Sequence, residues 1–81
     1  IQIIPNPSNS KTLITWYQGY KPTQVYTLSL FDYRGIKVRE IMVQGDQHYL
    51  LDTSDLPAGL YDVQLLTTES ASLMAKLVVI R

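Results

Sequence analysis

The chain has 81 residues, of which 46% are apolar, and its seven basic and seven acidic side chains give a formal net charge of zero. Its length fits one small domain, and its apolar fraction excludes a disordered tail. The charges are spread singly and form no basic patch, which excludes electrostatic binding of nucleic acid.

The amino-acid composition also limits the kinds of cross-link, metal site and membrane segment that the chain can contain. There is no cysteine, so a disulfide framework and a cysteine-based zinc site are both impossible. No apolar run approaches the ~20 residues that a membrane-spanning helix needs, and we expect no membrane insertion. Because the chain begins at Ile1 and shows no signal peptide, we interpret residues 1–81 as a fragment of a longer protein.

Alternation of apolar and polar residues with a period of two runs through the chain, and no helical stripe is present. Turn-forming residues separate the alternating runs. This pattern predicts an all-β fold, a single immunoglobulin-like antiparallel β-sandwich of about seven strands. The predicted strands are Ile1–Ile4, Thr12–Trp16, Gln24–Phe31, Ile36–Val43, Gln47–Leu51, Leu60–Thr67 and Leu73–Ile80.

Two prolines follow the first strand. Pro5 and Pro7 lack a backbone N–H group, so they blunt the strand's edge against pairing with another chain.

Three aromatic residues lie at the end of the second strand and in the loop after it. Trp16, Tyr17 and Tyr20 could stack on sugar rings, as exposed aromatic side chains do in glycan-binding modules. The alternative, which we favour, places Trp16 in the core and the two tyrosines over an edge of the fold.

The third and fourth strands are joined by Asp32, Tyr33, Arg34 and Gly35. An aspartate at the start and a glycine at the end are typical of a tight hairpin turn, with the glycine in a left-handed conformation. We therefore interpret Asp32 and Gly35 as turn residues and not as a catalytic acid beside a basic anchor.

The fourth strand changes phase along its length. Ile36 and Val38 share one face, but Ile41 and Val43 are odd-spaced from them. This change predicts a β-bulge near Arg39–Glu40.

The single histidine, His48, would have to be the centre of any histidine-dependent site. Its neighbours Gln47 and Tyr49 supply neither a nucleophile nor a carboxylate at a recognisable spacing, so we expect an exposed strand histidine. The carboxylates of Asp52, Asp55 and Asp62 do not have the spacing of a calcium-binding loop. No catalytic, metal-binding or cofactor-binding residue is predicted, and we expect neither a cofactor nor enzymatic activity.

Residues 51–61 form the densest turn cluster of the chain. Asp52 and Ser54 are placed to bond nearby backbone amides, Pro57 fixes its own φ, and Gly59 allows a left-handed kink. The hydroxyl of Tyr61, at the start of the next strand, is placed to bond backbone upstream, an arrangement that resembles the tyrosine corner of immunoglobulin-like domains.

The last strand is apolar on both faces, whereas one face of an antiparallel strand is usually more polar. We predict that Leu73, Ala75, Leu77 and Val79 form its core face. The opposite face contains Met74, Lys76, Val78 and Ile80. Either this second face is also covered or an apolar strip is free for a partner.

Four of these segments together resemble the type A C-terminal sorting domain of the type IX secretion system of Bacteroidota, across essentially the whole chain. They are Ile4–Ser8, Leu30–Gly35, Leu51–Tyr61 and Ala75–Arg81. The resemblance implies a structural role for the positions that match the family's motifs, which are Pro5, Asn6, Pro7, Asp32, Gly35, Asp52, Leu56, Pro57, Gly59 and Tyr61.

The resemblance implies a non-catalytic sorting signal that directs a folded cargo from the periplasm across the outer membrane to the cell surface or the medium. Its partners would be the shuttle, translocon and sortase proteins of that system, and the sortase usually removes the domain and attaches the cargo to the surface. In the resembling family, export depends most on the closing strand. The residues predicted for recognition are therefore Met74, Lys76, Val78, Ile80 and Arg81.

Two other functions stay open at this stage. One is a carbohydrate-binding or adhesion module that uses Trp16, Tyr17 and Tyr20; the other is a structural spacer of the fibronectin type III kind. Free edge strands and an apolar outer strip also predict a weak homodimer.

Overall fold

The computed structural model describes residues 1–16, 25–44, 48–67 and 72–81. These residues form seven β-strands, and each lies within one residue of its predicted bounds. The strands are β1 (Gln2–Ile4), β2 (Lys11–Thr15), β3 (Val25–Phe31), β4 (Lys37–Gln44), β5 (His48–Asp52), β6 (Gly59–Thr67) and β7 (Ser72–Val79). The predicted first residues Gln24 and Gln47 lie outside the described residues. No helix in the described part of the chain has the length and hydropathy to span a bilayer.

The strands form two antiparallel sheets. One has the order β1-β2-β5 and the other the order β4-β3-β6-β7. Strands β6 and β7 pair from Gly59 opposite Val79 to Leu66 opposite Ser72 without a shift in register. The chain's last strand is therefore an edge strand of the larger sheet.

Alternate residues of both sheets point into one shared core. Tyr26, Leu28 and Leu30 of β3 are buried, as are Tyr61, Val63 and Leu65 of β6. On β7, Leu77 and Val79 are buried, and Leu73 and Ala75 pack against the core from partly buried positions. These inward faces are the ones that the alternation predicts. Each fully buried aliphatic side chain contributes about 1.5–3 kcal/mol through the hydrophobic effect.

The change of phase in the fourth strand corresponds to a shift in register. Leu30 lies opposite Arg39 and Phe31 lies opposite Lys37, so Val38 is the additional residue on β4. The bulge therefore exists, but it lies just before the predicted Arg39–Glu40. Ile36, which the sequence places in this strand, precedes β4, and β4 begins at Lys37.

Candidate functional site: the closing strand and its edge

The outward face of β7 is largely exposed. Met74 is 60% exposed and Ile80 is 44% exposed, while Val78 between them is half-buried. Val78 lies opposite Leu60 of β6, which is itself 47% exposed. The structure therefore places Met74, Lys76, Val78 and Ile80 on one face, as the sequence predicts, and leaves this face apolar.

Lys76 is the charged residue of this face, and it lies opposite Asp62 on β6. The Lys76 ammonium forms an ion pair with the Asp62 carboxylate, and the two side chains are 67% and 34% exposed. An ion pair this exposed contributes at most about 1 kcal/mol to stability. It keeps the charge of Lys76 balanced at the surface.

The free side of β7 is covered at its C-terminal end by residues 6–8, which we call the N-terminal strap. The Asn6 side chain donates to the Lys76 carbonyl at 2.8 Å and accepts from the Val78 N–H at 2.9 Å. The Ser8 N–H donates to the Val78 carbonyl and the Ser8 carbonyl accepts from the Ile80 N–H, both at 2.8 Å. The side-chain amide of Asn6 thus takes the place of a backbone amide and continues the row of hydrogen bonds along the free side of β7.

Buried hydrogen bonds hold the strap in place. Ser8 is fully buried, and its hydroxyl bonds that of Thr53, also fully buried, at 2.8 Å. The Thr12 hydroxyl donates to the Pro5 carbonyl at 2.6 Å. Since buried hydroxyl groups without partners are costly, these contacts fix the segment Pro5-Asn6-Pro7 against β7. The prolines thus belong to a segment that covers β7, besides lacking donors at the end of β1.

The Arg81 side chain makes its hydrogen bonds to backbone carbonyls of the domain, including that of Ile80 at 2.9 Å. Its guanidinium donates to the Thr53 carbonyl at 2.7 Å and to the Leu56 carbonyl. A longer contact of 3.4 Å reaches the Asn9 carbonyl. Arg81 therefore joins the end of the chain to the turn after β5, and its hydrogen-bonding capacity is largely used within the domain.

The turn between β5 and β6 has the local structure that its sequence predicts. The Asp52 carboxylate accepts hydrogen bonds from the backbone N–H of Ser54 at 2.9 Å and from the Ser54 hydroxyl at 2.6 Å. These bonds lower the pKa of Asp52, and the bond from the hydroxyl has the larger effect. The Tyr61 hydroxyl donates to the Pro57 carbonyl at 2.6 Å, the upstream bond expected of a tyrosine at this corner. Gly59 has φ 157°, a positive value that residues with a side chain rarely adopt, so this position uses the conformational freedom of glycine.

Arg39 of β4 also contacts this turn, which no pattern in the sequence indicates. Its guanidinium forms two hydrogen bonds to the Asp55 carboxylate, at 2.7 and 2.8 Å, and one to the Asp52 carbonyl at 3.0 Å. The guanidinium lowers the pKa of Asp55. These bonds therefore connect β4 of the larger sheet to the turn that follows β5 of the smaller sheet.

The hairpin turn between β3 and β4 is organised by Asp32. One carboxylate oxygen accepts from the N–H groups of Arg34 and Ile36, at 2.9 and 3.1 Å, and the other from the Arg34 guanidinium. Gly35 has φ 81°, in the left-handed region that favours glycine. The turn interpretation of Asp32 and Gly35 is therefore confirmed.

The residues considered for other functions lie elsewhere. Trp16 is only 3% exposed and packs against Tyr26 with ring centroids 5.6 Å apart, so its ring is not available to a sugar. Tyr17 and Tyr20 lie outside the described residues. His48 is exposed on β5, and in the described ranges no group of three or more acidic or histidine side chains is placed to hold a metal ion.

An open groove of about 330 Å³ adjoins the N-terminal half of β7. Its lining residues are Asp62, Met74, Ala75 and Lys76. Met74 and Lys76 point outward from the sheet, whereas Ala75 points toward the core. The groove therefore lies where Lys76 of β7 faces Asp62 of β6.

A family model described as "Secretion system C-terminal sorting domain" matches residues 2–80, almost the entire chain. The comparison with curated proteins gave no match.

Proposed function

The chain belongs to the family of secretion system C-terminal sorting domains. On this basis we propose that residues 1–81 are the non-catalytic sorting signal of a longer secreted protein. Family membership indicates a sorting signal for type IX secretion, with a secreted or cell-surface cargo that crosses the outer membrane. The match over residues 2–80 is the observation that carries the proposal.

The finer steps are part of the same proposal. The domain presents a folded surface to shuttle and translocon proteins in the periplasm and at the outer membrane. A surface sortase then removes the domain and attaches the cargo to the cell surface. The domain itself needs no cofactor and performs no chemistry, which fits a site made of apolar side chains and backbone groups.

We further infer that the fold is an immunoglobulin-like sandwich. Two antiparallel sheets that share one core support this inference, as does the hydrogen bond from Tyr61 to Pro57 at the start of β6. In constant immunoglobulin domains the fourth strand pairs with the fifth. Here β4 pairs with β3 in the larger sheet.

The contact with the machinery is made by β7, through its exposed residues or its edge. Met74, Lys76, Val78 and Ile80 face solvent together, next to the groove. Arg81 supports the surface by holding the end of the chain. Burial of the apolar strip would supply affinity, since exposed apolar patches mark sites of protein–protein contact.

No observation favours a carbohydrate-binding module. Of the three aromatic residues that could stack on sugars, the structure describes Trp16, which is buried in the core.

The proposal is tested by fusing the domain to the C-terminus of a folded periplasmic reporter protein in a bacterium with a type IX system. We expect the reporter on the surface or in the medium in the competent strain and in the periplasm of a translocon-deficient strain. The reporter without the domain is the control and should stay in the periplasm of both strains. Retention of the fusion in the periplasm of the competent strain, with the domain folded, would refute the sorting function.

A further inference from the structure

The backbone of β7 alternates strictly between its two sides. In an antiparallel pair, every second residue directs both its N–H and its C=O away from the partner strand. Val78 is such a residue, because its N–H bonds Asn6 and its carbonyl bonds Ser8. The register with β6 has no shift, so the backbone groups of Lys76 and Met74 also point away from β6.

The N-terminal strap covers only part of this edge. Its last hydrogen bond toward the start of β7 is the one from Asn6 to the Lys76 carbonyl. The Lys76 N–H and both backbone groups of Met74 lie beyond it, and no described residue pairs with them. A short stretch of open edge therefore begins where the strap ends.

The side chains around this stretch leave room for another strand. Met74 and Lys76 also line the groove, together with Asp62 of β6, and Met74 is 60% exposed there. A strand added at the usual spacing of ~4.8 Å would pair with the backbone and place a side chain over Met74. The matching occupant is an extended polypeptide with free backbone groups and an apolar residue.

We propose that a protein of the secretion machinery binds this domain by strand addition to β7 at Met74–Lys76. This inference rests on the proposed sorting function, because that function requires a protein partner, and such a partner is what would pair with the open edge of β7. The strap excludes strand addition farther along β7, so the site is confined to the part of the edge at Met74–Lys76. Backbone pairing at this edge adds to the burial of the apolar strip in recognition.

A proline at position 74 tests the role of the backbone. Met74→Pro removes the outward N–H and leaves the hydrogen bonds between β6 and β7 in place, because residue 74 contributes none to them. Met74→Ala is the matched control, since it shortens the side chain and keeps the N–H. We expect Met74→Pro to reduce the amount of reporter on the surface and in the medium at least about tenfold. The reason is that the loss of roughly one hydrogen bond weakens binding to the machinery by about this factor. Met74→Ala loses only the apolar side-chain contact, so it should reduce export by a smaller factor than Met74→Pro.

The outcomes separate this inference from the sorting function. Export of a folded Met74→Pro domain at the unaltered level would overturn strand addition and leave the sorting function intact. Failure of the unaltered fusion in the competent strain would overturn both. Thermal unfolding of each purified domain verifies folding, and Lys76→Pro replaces Met74→Pro if the latter unfolds, because the Lys76 N–H also points away from β6.

Amide hydrogen exchange of the unaltered domain tests the open edge without a substitution. The Met74 N–H should exchange much faster than the Leu77 N–H, which faces Tyr61 in the ladder. Protection of Met74 in the dilute monomer would refute the open edge. Protection that grows with protein concentration would assign the edge to a second copy of the chain and overturn the proposed partner.

Discussion

Single carboxylates determine the turns of this domain. The Asp32 side chain is almost fully buried, and it bonds two backbone N–H groups as well as Arg34. The Arg34 guanidinium, with help from those N–H groups and against the effect of burial, lowers the pKa of Asp32. The ionised carboxylate is therefore part of the hairpin structure.

Stability should fall in acid because of these groups. The pKa of Asp32 in the folded protein lies below the ordinary value of 3.8, as do those of Asp52 and Asp55. A lowered pKa stabilises the fold above the unfolded-state pKa, and that contribution is lost as pH falls through the folded-state pKa. The urea midpoint should thus be lower at about pH 3 than at about pH 6.

Asp32→Asn is the comparison for this pH effect. The amide keeps an acceptor for the backbone N–H groups but no longer titrates. Its urea midpoint should depend less on pH than that of the unaltered domain. Equal pH dependence in the two proteins would show that Asp32 does not contribute.

Residues with local partners were predictable, and those with distant partners were not. Tyr61 bonds Pro57, four residues away, and Asp32 bonds residues two and four positions along the chain. Arg81 instead bonds residues 25 and 28 positions earlier. Its placement depends on how the sheets pack, which one sequence does not encode as a spacing. The sequence therefore predicted a recognition role for Arg81, while its structural contacts became visible only in the fold.

At the scale of elements, the N-terminal strap acts as a short additional partner of β7. Strand bounds were predictable within one residue because alternation and turn residues are local signals. The strap was not, since Asn6 joins residues 70 and 72 positions away. Edge strands need cover against unwanted pairing, and the strap supplies it for the C-terminal half of β7.

Removing the Asn6 side chain should weaken this cover. Asn6→Ala loses two hydrogen bonds and should lower the free energy of unfolding by about 1–2 kcal/mol, measured by urea denaturation. Asn9→Ala is the matched control, because Asn9 is exposed directly after the strap and contacts Arg81 only through its backbone carbonyl. Equal stability of the two variants would contradict the capping role of Asn6.

At the scale of the whole molecule, the beginning and the end of the chain lie side by side. Ser8 and Val79 form a parallel bridge, and Arg81 reaches the turn after β5. Three of the four segments that carry the family resemblance, Ile4–Ser8, Leu51–Tyr61 and Ala75–Arg81, thus meet in space although they are spread along the sequence. Family membership could be inferred from the order of these segments, whereas their convergence required the structure.

The parallel bridge has a mechanical consequence. When the two ends are pulled apart, the strap and β7 slide along each other, so their four hydrogen bonds bear the load together instead of opening one after another. Forced unfolding is governed by the rate of barrier crossing, so end-to-end pulling should show a lower unfolding force for Asn6→Ala than for Asn9→Ala in single-molecule measurements. Equal forces would mean that another contact yields first. Tension from a cargo on the N-terminal side reaches β1 first, and the strap then resists it before it reaches β2 and the rest of the fold.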